Sequence, residues 1–185
     1  KEVDGTFPNH HPDPTVPKNM EQLVKTVVSN SCDIGLGFDG DGDRLGVVDN
    51  KGNIIWADQY MLLLAKEISN LYENPKIIMD VKSSKVFFDE VKKFDCEPIM
   101  FRTGHSPIKE KMKEVKSPLS GEMSGHICYG DDFFGYDDAM YVGLRLLRIL
   151  SNEEISLNEL IGLYPKTTAT PETRIDVEEI RKFEI

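Results

Sequence analysis

The chain has 185 residues, 39% of them apolar, enough to bury one large core or two small ones, so one or two domains is the expectation. Twenty-two basic against thirty-two acidic residues give a net charge of -10, which argues against general affinity for nucleic acid or an anionic membrane; a phosphorylated ligand must be met by a local basic pocket. Cys32, Cys96 and Cys128 are odd in number and lack any Cys-x-x-Cys pattern, no apolar run nears the roughly eighteen residues of a span, and no basic-then-apolar leader opens the chain, so neither disulfide framework, zinc site nor membrane anchor is indicated and a reducing cytoplasm is the expected home.

The opening, Asp4 to Pro14, is too rich in proline and turn formers for a regular element and reads as a loop whose earlier partner is missing; the adjacent His10 and His11 point apart and read as structural. Leu23, Val24, Val27 and Val28 recur at helical spacing behind Pro17 and predict a helix over 19–29. A strand over 32–38 runs into an acidic loop, followed by Leu45-Gly46-Val47-Val48, a turn at 49–53 and Ile54-Ile55-Trp56, a strand, turn, strand pattern. A helix over 58–71 keeps one apolar face and ends before Asn74-Pro75. Beyond it come a strand over 76–81, a helix over 84–93, a strand over 97–101 and a helix over 107–115, an alternation that predicts a parallel sheet flanked by helices. Ser106 before Pro107 reads as a helix start and leaves Thr103-Gly104-His105 in the loop before a helix amino terminus, where anions bind readily. Short strands at Leu119-Ser120 and Ile127-Cys128-Tyr129 flank Gly121-Glu122-Met123-Ser124-Gly125-His126, and Asp137 or Asp138 caps a helix running to about Leu150. The segment Pro165 to Pro171 has linker composition, and Thr173 to Val177 resumes a strand pattern. The fold class is therefore α/β: two three-layer units with mixed, largely parallel sheets flanked by helices, the first incomplete, dividing at 1–56, 57–165 and 166–185.

The run Gly37-Phe38-Asp39-Gly40-Asp41-Gly42-Asp43-Arg44 carries the chemistry. Three carboxylates this close repel one another unless a cation neutralises them, and the glycines let the backbone curl until the oxygens face one point. Hard oxygen donors suit magnesium. An EF-hand fails, because its sixth-position glycine would fall on Arg44 and its twelfth-position glutamate on Asn50. The guanidinium of Arg44 either meets an anionic ligand such as phosphate or pairs with a neighbouring aspartate.

Taken with this loop, Arg102-Thr103-Gly104-His105-Ser106 and Gly121-Glu122-Met123-Ser124-Gly125-His126 make the chain resemble, over essentially its whole length, the α-D-phosphohexomutase family and its bacterial phosphomannomutase/phosphoglucomutase branch. The resemblance implies magnesium on Asp39, Asp41 and Asp43, Arg44 on the reacting sugar or phosphate, and Glu122 and Ser124 on adjacent sugar hydroxyls, which a carboxylate and a hydroxyl can hold without titrating. It implies ligand contacts from Lys82, Thr103, Gly104 and His105, with Met123 at a position tied to mutases of glucose and mannose phosphates. His126 is either a general acid or base or a neutral hydrogen-bonding histidine. The family has four domains, with a phosphoserine in the first and a phosphate loop in the fourth; neither motif occurs here, so the chain resembles the rear of domain two, domain three and the first strand of domain four.

The implied activity is interconversion of hexose 1-phosphate and hexose 6-phosphate through a hexose 1,6-bisphosphate, the fragment itself lacking the nucleophile and the missing domains 1 and 4 belonging to the same polypeptide. Two other classes compete. A magnesium-dependent phosphohydrolase would use Asp39 as nucleophile, and a non-catalytic sugar-phosphate or metal-binding module would be complete at this length.

Overall fold

The computed structural model describes residues 4–166. Helix α1 (Pro17–Ser29) leads into β1 (Ile34–Phe38), β2 (Leu45–Asp49) and β3 (Ile54–Ile55), which form an antiparallel sheet in the order β1-β2-β3. Met20 and Val27 of α1 bury against Val48 of β2, the helical spacing of apolar residues meeting one face of the sheet.

Helix α2 (Ala57–Ser69) then crosses to a second sheet, built from β4 (Lys76–Asp80), β5 (Glu97–Phe101), β6 (Leu119–Gly121) and β7 (Ile127–Tyr129) in the order β5-β4-β6-β7. Strand β4 is parallel to both β5 and β6, while β7 returns antiparallel to β6. The helices are α3 (Lys85–Lys92), α4 (His105–Val115), α5 (Ala139–Ser151) and α6 (Leu157–Gly162). The α/β class expected from the sequence stands; the parallel pairing is confined to the second sheet. Leu45, Val47 and Ile55 of the first sheet share one core with α2, Ile77, Met79, Leu119, Tyr129, Val142 and Leu146, so the two sheets are packed as one body.

Two local expectations are corrected. The helix expected from 107 begins at His105, because Gly104, with φ 131°, turns the chain two residues earlier; Pro107 falls in the first turn, where an N–H has no intrahelical acceptor. His105 is thus a helical residue and Ser106 is no cap. Helix α6 was not anticipated; Ser156 and Glu159 form a reciprocal capping box at its start. The expected strand at 173–177, and all of the segment 166–185 beyond Lys166, lie outside the described residues.

Asp49 fastens α6 to the first sheet. Its buried carboxylate accepts from the N–H groups of Lys51 and Asn53 (both 2.9 Å) and from the side-chain amides of Asn53 and Asn158 (both 2.8 Å). Burial by itself would raise its pKa, but these donors outweigh it and lower the pKa. A carboxyl with a depressed folded pKa contributes stability above its unfolded value of about 3.9, and that contribution is lost as pH falls through the folded pKa. Asp49→Ala is expected to cost about 3 kcal/mol at neutral pH. In urea unfolding the gap between the two proteins should narrow on acidification below about pH 4, and a gap independent of pH would contradict the assignment.

Candidate functional site

The second sheet places its loops by topology. The chain leaves β4 for β5 on one side and later returns to β6 on the other, so a crevice opens at the carboxyl ends of β4 and β6, where α/β proteins seat ligands. Asp80, at the end of β4, and the loop 122–126 after β6 meet there: Asp80 accepts from Met123 N (3.2 Å), Ser83 Oγ (2.9 Å) and Thr103 Oγ1 (3.1 Å). Burial, reinforced by the nearby Glu122 charge, raises the Asp80 pKa against these hydrogen bonds. Lys82 is exposed on the turn that follows β4.

The acidic loop arrives from the other sheet and is fixed to this crevice by backbone. Arg44 and His126 form an antiparallel bridge, Leu45 N donates to Gly125 O at 3.1 Å, and Ala139 N, at the start of α5, donates to Gly42 O at 3.0 Å. Gly125 has φ 95°, and a Cβ there would meet Leu45 O at 2.7 Å, so only glycine permits this approach of the two loops. The carboxylate cluster and the loop of Glu122 and Ser124 therefore stand side by side at the carboxyl ends of β4 and β6.

Within the loop, Asp39 Oδ1 accepts from the N–H groups of Gly42, Asp43 and Arg44, and Oδ2 accepts from Arg44 Nε at 2.6 Å. Arg44 also lies 3.5 Å from Asp13. Burial opposes ionisation of Asp39, but the Arg44 contacts prevail and lower its pKa. Asp43 is raised, first by burial and then by Asp39 and Asp41, with the His126 charge pulling the other way. Carboxylate oxygens of Asp39, Asp41 and Asp43 lie within 4.8 Å of one another, and Asp43 Oδ1 is buried without a hydrogen-bond partner. That oxygen-only donor set, with one buried oxygen lacking a hydrogen bond, fits magnesium.

Glu122 is 2% exposed and joins two loops: one carboxylate oxygen accepts from Gly104 N and the other lies 3.0 Å from His126 Nδ1. Ser124 Oγ is 2.9 Å from the same nitrogen, and His126 Nε2 is 3.3 Å from Asp43. Burial disfavours a charged imidazole, but the Glu122 hydrogen bond and the charges of Asp43, Glu122 and Asp137 raise the His126 pKa. Glu122 moves down, burial being outweighed by His126 and Gly104. His105 stacks on His126, centroids 5.3 Å apart, and lies 3.3 Å from Asp137, which also holds Lys109 at 2.9 Å. Of the residues singled out from sequence, Asp39, Asp41, Asp43, Arg44, Glu122, Ser124, His126, Gly104 and His105 thus form one contiguous cluster, with Thr103 joined through Asp80. His10 and His11 are exposed outside it.

Asp80 and Asp137 were not anticipated. Asp137 had been one of two candidate caps for α5; Asp138 takes that role, accepting from Tyr141 N at 2.9 Å.

Fold and cleft together define an α/β protein in which a cation-competent acidic loop faces a loop of polar side chains at parallel strand ends. The descriptions "Phosphoglucomutase/phosphomannomutase, alpha/beta/alpha domain II" and "domain III" match residues 1–52 and 56–167 respectively, and the chain belongs to the phosphoglucomutase/phosphomannomutase family. It is 45% identical over 184 residues to a phosphomannomutase/phosphoglucomutase of Pseudomonas aeruginosa, covering 100% of this chain and 40% of that protein. It is 46% identical over 178 residues to a phosphoglucomutase of Neisseria meningitidis serogroup A, covering 96% and 38%. A crystal structure of a family protein from Burkholderia thailandensis superposes with a TM-score of 0.88 at 42% identity, covering 92% of this chain and 37% of that one. The chain spans about 40% of the length of the first of these relatives. No described helix is long and apolar enough to cross a membrane.

Proposed function

We propose that the polypeptide carrying this chain is a magnesium-dependent phosphohexomutase that interconverts the 1- and 6-phosphates of glucose or mannose, with hexose 1,6-bisphosphate as intermediate. In this reading the chain supplies the metal loop and the sugar grip, and the phosphoserine and distal phosphate loop come from other domains. The observation that carries it is the backbone junction of Arg44 with His126 and of Leu45 with Gly125, which sets the acidic loop against the Glu122 loop.

Glu122 and Ser124 hold adjacent hydroxyls of the hexose, a grip available to the sugar in either orientation. Glu122 also keeps the His126 ring in place through Nδ1, leaving Nε2 toward Asp43 and the cleft, where it holds or releases the proton of the reacting hydroxyl. Arg44, Lys82, Thr103, Gly104 and His105 line the anionic side, helped by the amino terminus of α4. Magnesium on Asp39, Asp41 and Asp43 supplies charge withdrawal from the phosphoryl oxygens when bound. A hydrolase reading would need Asp39 as nucleophile, and it leaves unused the polar loop of Glu122 and Ser124 that the Arg44–His126 and Leu45–Gly125 junction sets beside the acidic loop.

Asp41 is exposed, so its replacement tests chemistry rather than packing. In the whole enzyme, Asp41→Asn is expected to lower mutase turnover about 10²–10³-fold with the melting temperature unchanged. Undiminished turnover with glucose 1-phosphate and with mannose 1-phosphate would remove the metal role.

A further inference from the structure

The described residues contain a second group of donors that the mutase reading leaves unused as a set: a carboxylate oxygen of Asp43, a ring nitrogen of His126 and a carboxylate oxygen of Asp137, all within 4.8 Å of one another. Asp137 is not a surface acid. Its side chain is 8% exposed, its backbone pairs with Cys128, and its Oδ2 is buried with no hydrogen-bond partner, His105 Nδ1 standing 3.3 Å away outside hydrogen-bond geometry. Asp43 Oδ1 is in the same state.

The donor count is short. His126 Nδ1 is committed to Glu122 and Ser124, so the imidazole has only Nε2 left to offer, and a single N–H cannot satisfy two buried oxygens on different carboxylates. Lys109 answers the other Asp137 oxygen, Oδ1, at 2.9 Å. A dication placed among the three donors would meet the carboxylates of Asp43 and Asp137, each of which carries one orphan oxygen.

We propose that Asp43, His126 and Asp137 form a second cation site, selective for a transition-metal dication of the zinc type, with His105 at hand as a fourth donor. The imidazole nitrogen decides the selectivity: magnesium takes oxygen donors and keeps its waters, whereas zinc and cobalt take one or two imidazoles with carboxylates in a four-coordinate shell. The acidic loop and this trio therefore differ in preferred metal although they share Asp43. On the mutase reading, occupation removes His126 Nε2 from proton exchange and makes such a cation an inhibitor; binding itself does not depend on that reading and is measured without turnover.

Cobalt(II) is the probe, titrated into the intact protein and followed by the visible absorption of four-coordinate cobalt. The unsubstituted protein should develop these bands, Asp137→Asn should weaken cobalt binding about a hundredfold, and Asp41→Asn, which touches only the acidic loop, should leave it intact. Circular dichroism and urea midpoints report whether each variant is folded. Should Asp137→Asn fail to fold, the unsubstituted protein still decides: zinc must shift the NMR ring signals of His126 and leave those of His10 and His11. Absence of the bands, loss of binding in Asp41→Asn but not in Asp137→Asn, or an unmoved His126 ring overturns the site.

Discussion

Replacing Arg145 with methionine is expected to lower the unfolding free energy by about 3–5 kcal/mol. Arg145 is 4% exposed on α5. Its Nε donates to Glu67 on α2 at 2.8 Å, its Nη1 donates to Asp131 and to the Tyr141 hydroxyl at 2.9 Å each, and the guanidinium lies over the Tyr129 ring at 4.1 Å. Burial works against its charge, but the two tyrosines and two carboxylates outweigh it and raise its pKa. Without it Glu67 keeps Arg148 at 2.6 Å, whereas Asp131, whose side chain is 1% exposed, is left as a buried carboxylate with no cation. That stranded charge dominates the cost, so adding Asp131→Asn to Arg145→Met should recover part of the loss. Guanidinium unfolding of the single and double variants checks this. A single-variant loss under about 1 kcal/mol, or a double variant no better than the single, would show that the pair is merely tolerated.

What the sequence disclosed and what it withheld divide along the range of the interactions involved. Strand β5 is expected over 97–101 and occurs at Glu97–Phe101, since the short apolar run between two helical patterns is a local signal. The acidic loop was equally legible, because three carboxylates separated by single glycines state their problem within five residues. Helix α6, at six residues, is too short for a helical period to accumulate, and only Ser156 and Glu159 could have revealed it. The start of α4 departs from expectation because Ser-Pro is a stronger helix-start signal in sequence than a glycine able to adopt positive φ, and Gly104 at φ 131° decides it. Asp137 and Asp138 are indistinguishable as caps in sequence; what separates them is Lys109 and His105 across the cleft, contacts that exist only once α4 has packed on its sheet. Arg145 is the extreme case. Its partner Glu67 is 78 residues away, and nothing local marks either as buried.

On the proposed mutase function, Glu122→Gln in the polypeptide carrying this chain is expected to lower kcat about 10²–10³-fold while KM for the hexose 1-phosphate changes only a few-fold. Glutamine keeps the shape of the side chain but only one acceptor oxygen. If that oxygen stays with Gly104 N, an amide NH2 faces His126 Nδ1, so the ring can no longer present a hydrogen there and must change tautomer or turn. The alternative rotamer keeps His126 and strands the N–H of Gly104 at the head of α4. Either way the ring stacked on His105 and aimed at Asp43 loses its support, while Ser124 and the rest of the sugar loop, tied by Glu122 N to His126 O and Gly125 N to Glu122 O, remain in place. The backbone frame keeps Ser124 and the sugar loop in place, so losing one Glu122 acceptor weakens the sugar grip only a few-fold, while the larger effect falls on kcat through the geometry of the His126 ring. A loss confined to KM would assign Glu122 to gripping the sugar alone; a kcat within about threefold of the parent would remove it from the reacting centre altogether.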